Sequence, residues 1–280
     1  MRLSSYLLSA AAAVGIAALA SSPAAAAGIN FTWTPGAVGL AGSPITGADN
    51  FNVTDYATIT VNQGTGAFSE TGALNVTKFL SGGSTILSPG LGDPGGYSLF
   101  YVFSGTGNQG GPIPTTLGST TTGSYDTLNY VLYGSTTPNP VFNLDGSNNA
   151  AGLIALATGS LVPGPGNTVS LTLTNGGLAP HADIEVTLNP CLAANTGFNN
   201  ACTGNESAFF TSPTASVLQF GDFGATGTVV TTSGNQVFIN GGGGNITELL
   251  APVPEPVTMS VFGAGLVGAV ALRRRKAKKA

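Results

Sequence analysis

The sequence predicts an all-β body over residues 28–250, a single antiparallel β-sandwich of jelly-roll type. Three observations carry that expectation. No stretch of this region repeats apolar residues at helical spacing. Short runs instead alternate apolar and polar residues, the period of a strand with one buried face. Clusters of Gly, Pro, Asn and Ser separate these runs, and glycine alone accounts for 42 of the 280 residues. About ten runs within one domain length favour one sandwich over two smaller domains. No fixed-period repeat stands out, which disfavours a solenoid or propeller.

Ahead of the body, residues 1–27 read MRLSSYLLSAAAAVGIAALASSPAAAA. A cation (Arg2), an apolar stretch from Tyr6 to Ala20 and a small-x-small run at Ala25 to Ala27 make a secretory signal peptide. Cleavage is expected between Ala27 and Gly28.

Within the body, the candidate strands are ATITV (57–61), GAFSETGALNVTKFL (66–80), SLFYVF (98–103) and TLNYVLY (127–133). SLFYVF is apolar throughout, as a strand covered on both faces would be. GLIALATGSLV (152–162) is read as a strand in preference to a short helix. TVSLTLTN (168–175) turns Val169, Leu171 and Leu173 one way, and ADIEVTLN (182–189) does the same with Ile184, Val186 and Leu188. The two are expected to pair as a hairpin across a seven-residue loop, NGGLAPH. SVLQF (216–220), TGTVVTT (226–232) and NQVFI (235–239) follow. GGGG (241–244) reads either as a flexible joint or as a loop before a last strand, NITELL.

The charges are sparse and uneven. Eleven of the twelve acids lie between Asp49 and Glu248, and Lys78 is the one Lys or Arg between Arg2 and the C-terminal tail. Such a body offers phosphates no basic footprint, so nucleic acid is excluded as a partner.

Candidate chemistry is thin. Cys191 and Cys202, the only cysteines, are expected to form a disulfide in an exported chain. Closing that loop would stabilise by about 3 kcal/mol on the chain-entropy model. Metal binding is the rival, with no histidine or second cysteine pair beside them. His181, Asp183 and Glu185 alternate in HADIEV and share one strand face. They suggest a divalent-metal site or an acid/base pair for sugar chemistry. The plainer reading is the wet face of an amphipathic strand, with His181 still in the loop, and it is preferred. A Ser-His-Asp triad would have to use His181, the sole histidine, and no nucleophile elbow is present. Catalysis is therefore not expected. Asp93 and Asp145 lie in Gly-rich stretches that resemble ordinary turns more than calcium loops. Trp33 could stack on a sugar, although a lone aromatic is more often packing.

Behind the body, residues 251–280 carry a three-part pattern. Pro254-Glu255-Pro256 should be extended, because proline disfavours helix before it. Residues 257–272 hold no charge and as a helix would span about 24 Å, slightly short of a bilayer core. Gly263, Gly265 and Gly268 give that helix a small-residue face. Arg273, Arg274, Arg275 and Lys276 begin a basic tail (273–280) with six of the chain's eight Lys and Arg residues. Such a cluster stops transfer and stays cytoplasmic, leaving the body outside.

In that order the three parts resemble the PEP-CTERM sorting signal of Gram-negative bacteria. The resemblance implies recognition by exosortase, an integral-membrane transpeptidase-like enzyme, with processing at or near Pro254, Glu255 and Pro256. It also implies an exopolysaccharide or biofilm setting, and it leaves the body's task open. The expectation is an exported structural or interaction protein of the cell surface or matrix, without cofactor. Its partners would be exosortase, the membrane before processing, and exopolysaccharide. The alternative is a carbohydrate-binding or carbohydrate-active module using His181, Asp183 and Glu185.

Overall fold

The computed structural model describes residues 30–87, 90–191, 209–212, 217–225 and 229–249. The predicted signal peptide and its cleavage site (Ala27, Gly28), Cys202, the Pro254-Glu255-Pro256 element, the 257–272 span and the basic tail lie outside them. No helix among the described residues is long and apolar enough to cross a membrane.

Strands in chain order are β1 (Phe31–Trp33), β2 (Ile45–Ala48), β3 (Asn50–Val61), β4 (Ala67–Ser81), β5 (Ser84–Ile86), β6 (Ser98–Asn108) and β7 (Thr120–Ser135). They continue with β8 (Ile154–Ser160), β9 (Thr168–Thr174), β10 (Gly177–Pro190), β11 (Phe210–Ser212), β12 (Val217–Gly224), β13 (Val230–Ser233) and β14 (Gln236–Leu249). One 3-10 turn, Pro35–Val38, accompanies them.

The sandwich expectation is corrected here. The large sheet runs β12-β10-β8-β7-β6-β4-β3-β14, and β14 also pairs with β12, so the ring closes into a barrel. Each ladder in it is antiparallel, and neighbours in the ring follow one another along the chain, which is a meander and not a jelly roll. The last link joins β14 to β3 from Gln236↔Thr60 to Thr247↔Asn50. Closure leaves the main strands no free edge. Two courses of the barrel are interrupted. β8 and β9 both pair with β7 and β10, at opposite ends, and β12 and β13 share β14 in the same way.

Two local expectations also change. The seven-residue loop shrinks to Asn175-Gly176, because Thr174 already pairs with Gly177. Leu178 and Pro180 extend the inward alternation, and Asn-Gly suits a two-residue hairpin turn. GGGG is neither joint nor loop but part of β14: Gly242, Gly243 and Gly244 pair with Asp55, Thr54 and Val53. A Cβ at Gly244 would stand 2.4 Å from the Phe223 ring, so the missing side chain is what lets Phe223 pack there.

One end of the barrel interior is filled by aromatic rings. The small sheet β11-β1-β2 brings Phe31 and Trp33 against Phe51 of β3 and Phe79 of β4, with Phe209 and Phe210 beside them. The Trp33 and Phe79 ring centroids lie 4.4 Å apart, and both side chains are buried. Outside the barrel, Phe142 stacks on Tyr56 and meets Phe100, covering SLFYVF on its second face as expected.

Candidate functional site

The barrel lumen is built by simple alternation. In β3, Phe51, Val53, Asp55, Ala57, Ile59 and Val61 are buried while their neighbours are half-exposed. In β4 the buried row includes Phe68, Glu70, Gly72, Leu74 and Val76. Two carboxyl groups thus enter an otherwise apolar interior because they occupy inward positions of strands.

Glu70 accepts a short hydrogen bond from the Tyr125 hydroxyl of β7, and the Tyr125 ring packs edge-on against Phe68 with centroids 5.1 Å apart. Burial pushes the Glu70 carboxyl up to about 7, with the Tyr125 bond holding it down in part. Asp55 is raised well above the ordinary aspartate range by burial, then by the negative charge of Glu70, against a backbone hydrogen bond from Tyr56. Its Oδ1 is buried and has no hydrogen-bond partner. A buried polar atom left so is costly unless something fills the space before it.

A second polar group sits between this region and the aromatic end. The Tyr130 hydroxyl shares its one proton between Thr187 O at 2.8 Å and Gln219 Oε1 at 2.6 Å. Gln219 Nε2 donates to Glu248 Oε1 at 2.5 Å and to the Tyr101 hydroxyl at 3.2 Å. Burial raises Glu248 well above the usual carboxylate range, and its Oε2 is also without a partner.

Asp55, Glu70, Tyr101, Tyr125 and Gln219 border a cavity whose remaining wall is mainly aliphatic and aromatic, including Leu128, Val186, Phe223 and Ile246. The cavity leaves about 60 Å³ for the centres of water-sized bodies. At roughly 10–15 Å³ per water, that is room for a few waters or one small molecule. Its lining reaches the surface at His181, whose side chain is 47% exposed.

The residues singled out in HADIEV are partly brought together. His181 and Asp183 project outward from β10 as expected, with His181 in the strand rather than in a loop. Their Nε2 and Oδ2 atoms lie 3.3 Å apart. Asp222 of β12, paired with Asp183 across the ladder, comes within 3.7 Å of His181 Nδ1. Ligand atoms of the three lie within 4.8 Å of one another, a spacing that could hold a metal ion, and Glu185 is not among them. Sequence reasoning missed Asp222, whose pairing with β10 no local signal announces.

Elsewhere, Asp93 accepts from Gly90 N–H at 2.9 Å and Asp145 from Ser147 N–H at 2.9 Å, both ordinary turn chemistry. Trp33 is buried, so it offers no stacking surface to a sugar. Cys191 is buried beside Val131 and Ala155.

Sequence reasoning also missed the lumen. Glu70 lay inside a predicted strand, in phase with Phe68 and Leu74, and could have been read as inward. Asp55 lies just ahead of the expected strand ATITV; carried back through NFNVTDY, the same alternation includes it.

Comparison with known proteins bears on the tail and not on the barrel. No curated protein and no solved structure matches the chain. Residues 252–276 match the family model of the PEP-CTERM protein-sorting motif, at the place where the Pro-Glu-Pro element, apolar stretch and arginines occur in order. The chain carries the PEP-CTERM sorting signal: it is an exported protein handled by exosortase and held at the membrane before processing.

Proposed function

We propose that the delivered body is a non-enzymatic binding barrel, working at the cell surface or in the extracellular matrix, that encloses a small and mostly apolar molecule in its lumen. The observation that carries this reading is the cavity itself, bounded by a closed sheet, lined largely by apolar side chains and packed shut with rings at one end. Concave apolar sites with a few convergent polar groups are the usual form of small-molecule sites. The test uses the protein released into the medium of the exporting strain, titrated with n-pentanol while methyl signals are followed by NMR. Shifts at Leu128, Val186 and Ile246 that spare exposed Leu117 and Leu153 are expected. Absence of saturable shifts at the lumen methyls would sink the reading.

Delivery is tested separately, by intact mass and fractionation with and without functional exosortase. We expect a product running from near Gly28 to near Pro254, outside the membrane only when exosortase works. Before processing, the basic tail from Arg273 would be cytoplasmic. The same mass measurement, before and after reduction, reports the proposed Cys191–Cys202 disulfide.

A second reading, a carbohydrate-binding face turned toward exopolysaccharide, is favoured by the convergence of His181, Asp183 and Asp222 on the outer surface. Asp183→Asn with Glu185→Gln should then lose glycan binding; unchanged binding dismisses that face.

A further inference from the structure

The lumen's polar groups favour one chemistry of ligand. We propose that the barrel binds a small organic ammonium ion, with its nitrogen at Asp55 and Glu70 and its short apolar tail among the aliphatic side chains. This rests on the lumen reading above and adds the charge of the ligand to it.

The first ground is Asp55. It is 7% exposed, borders the cavity, and leaves Oδ1 without a donor. The second is the absence of balancing charge. Among the described residues Lys78 is the one Lys or Arg, and it is exposed. Two carboxyl groups therefore face the cavity, and His181 at its rim is the one potentially cationic side chain lining it. The third is the aromatic lining. Asp55 and Glu70 sit on adjacent strands with Ala57 and Gly72, a directly opposed pair, lying between them in the inward rows. The Phe103 ring fills the place these small residues leave, 2.9 Å from where a Gly72 Cβ would stand. The rings of Phe103 and Tyr125 border the same cavity and suit a neighbouring cation.

Other occupants fit less well. A calcium or magnesium ion takes six or more oxygen ligands, and two carboxyls in a mostly apolar wall do not supply them. A neutral apolar molecule would leave Asp55 Oδ1 desolvated and unpaired, at a cost that a charge-assisted N–H donor removes. The cavity, with room for a few waters, matches a chain of about five or six heavy atoms.

The ligand's charge makes binding depend on pH. The titratable groups facing the lumen are Asp55 on β3, Glu70 on β4, Tyr101 on β6, Tyr125 and Tyr130 on β7, His181 at the rim of β10, and Glu248 on β14. Burial and the Tyr125 bond set Glu70 near 7, and an ammonium ion beside it would favour the ionised form. Binding near neutral pH should therefore expel protons, and affinity should rise from pH 5.5 to pH 8.

The experiment compares n-pentylamine with n-pentanol by isothermal titration calorimetry on the exported protein, in two buffers of different ionisation enthalpy. At pH 8 the amine is expected to bind about tenfold or more tightly than the alcohol. Near pH 7 it should release protons while the alcohol releases none. Asp55→Asn should abolish the amine preference and keep alcohol binding; Glu70→Gln should reduce the proton release, and serves if the first variant does not fold. Equal binding of amine and alcohol, or a preference that survives both substitutions, overturns the ammonium proposal and leaves the lumen reading standing. Binding of neither overturns both. Calcium chloride alone reproducing the proton release, and losing it in Asp55→Asn, would assign the site to a metal ion and overturn the proposal.

Discussion

The two ends of the barrel interior solve the same problem in opposite ways. At one end six aromatic side chains, Phe31, Trp33, Phe51, Phe79, Phe209 and Phe210, meet mostly edge to face and border a void of only about 10 Å³. Toward the other, the same inward rows of β3 and β4 present Asp55 and Glu70 to a cavity. β3 and β4 run through both regions, but at the packed end the small sheet adds Phe31, Trp33 and Phe210, which the cavity end lacks. Rings at positions 51 and 79 complete a core; carboxyls at 55 and 70 leave part of it unfinished. A fold that needed only stability would not place uncompensated carboxyls where burial disfavours their charge.

The sharpest way to break the comparison is to open the packed end. Phe79→Ala removes a ring that touches both Trp33 and Phe51 and is 1% exposed. Truncating such a ring costs about 3–5 kcal/mol. Thermal unfolding should show a loss in Tm far larger than any substitution at the cavity produces. A small loss would mean that the small sheet adds little to the barrel.

The opposite sign is expected at the cavity. Glu70 has a folded-state value of about 7 against 4.5 for the ordinary carboxyl. The fold thus favours its protonated form, so its contribution to stability is fully present below about pH 4.5 and is lost as pH rises toward 7. Asp55 and Glu248, both raised by burial, act in the same direction. The protein should be more stable at pH 5 than at pH 8. Glu70→Gln keeps an acceptor for Tyr125 and removes the charge. At pH 8 it should stabilise by on the order of 3 kcal/mol, the gap between 4.5 and about 7 at about 1.36 kcal/mol per pH unit. The advantage should vanish near pH 4.5. Equal Tm values for the two proteins at pH 8 would show that the fold does not disfavour the ionised form of Glu70.

How far the sequence discloses this contrast depends on the kind of information involved. The strands were legible because their patterns are local: TVSLTLT and ADIEVTLN lie where their alternation puts them, and SLFYVF where its apolar run does. Closure was not, because inward alternation is the same in a sandwich and in a barrel. Only the pairing of β14 with β3, between residues far apart in the chain, separates the two. The same limit hid Asp222 from Asp183. Asp55 and Glu70 were hidden differently. A carboxylate in a strand is ordinarily placed on its wet face, and these two follow the period of the strand instead of the preference of their type. The sorting signal was legible throughout, because it is a contiguous motif.

Smaller effects sharpen the comparison near Phe223, where the cavity borders β14. Gly244→Ala would put a Cβ 2.4 Å from the Phe223 ring and 3.0 Å from Asp222 O. Overpacking of that kind costs about 1–3 kcal/mol. Gly243→Ala meets nothing within 4 Å, so it should move Tm little or raise it slightly. The pair tests whether the glycine run is there for the packing of Phe223. Equal effects at both positions would point instead to a backbone requirement shared by the whole run.

The smallest expected effect lies outside the barrel, and it separates an ion pair from a metal site. His181, Asp183 and Asp222 are 47%, 34% and 55% exposed in their side chains. Exposed pairs of this kind contribute about 0–1 kcal/mol and weaken as salt rises. His181→Ala should therefore change Tm by no more than about 2–4 °C for a domain of this size. If the three residues hold a divalent cation, the behaviour differs in kind. Added zinc or manganese would raise the Tm of the unsubstituted protein in a saturable way, and His181→Ala would erase the rise. A Tm indifferent to metal in both proteins would leave the trio as the wet face of an amphipathic strand. Among the described residues, the acids raised by burial would remain the inward ones, Asp55, Glu70 and Glu248.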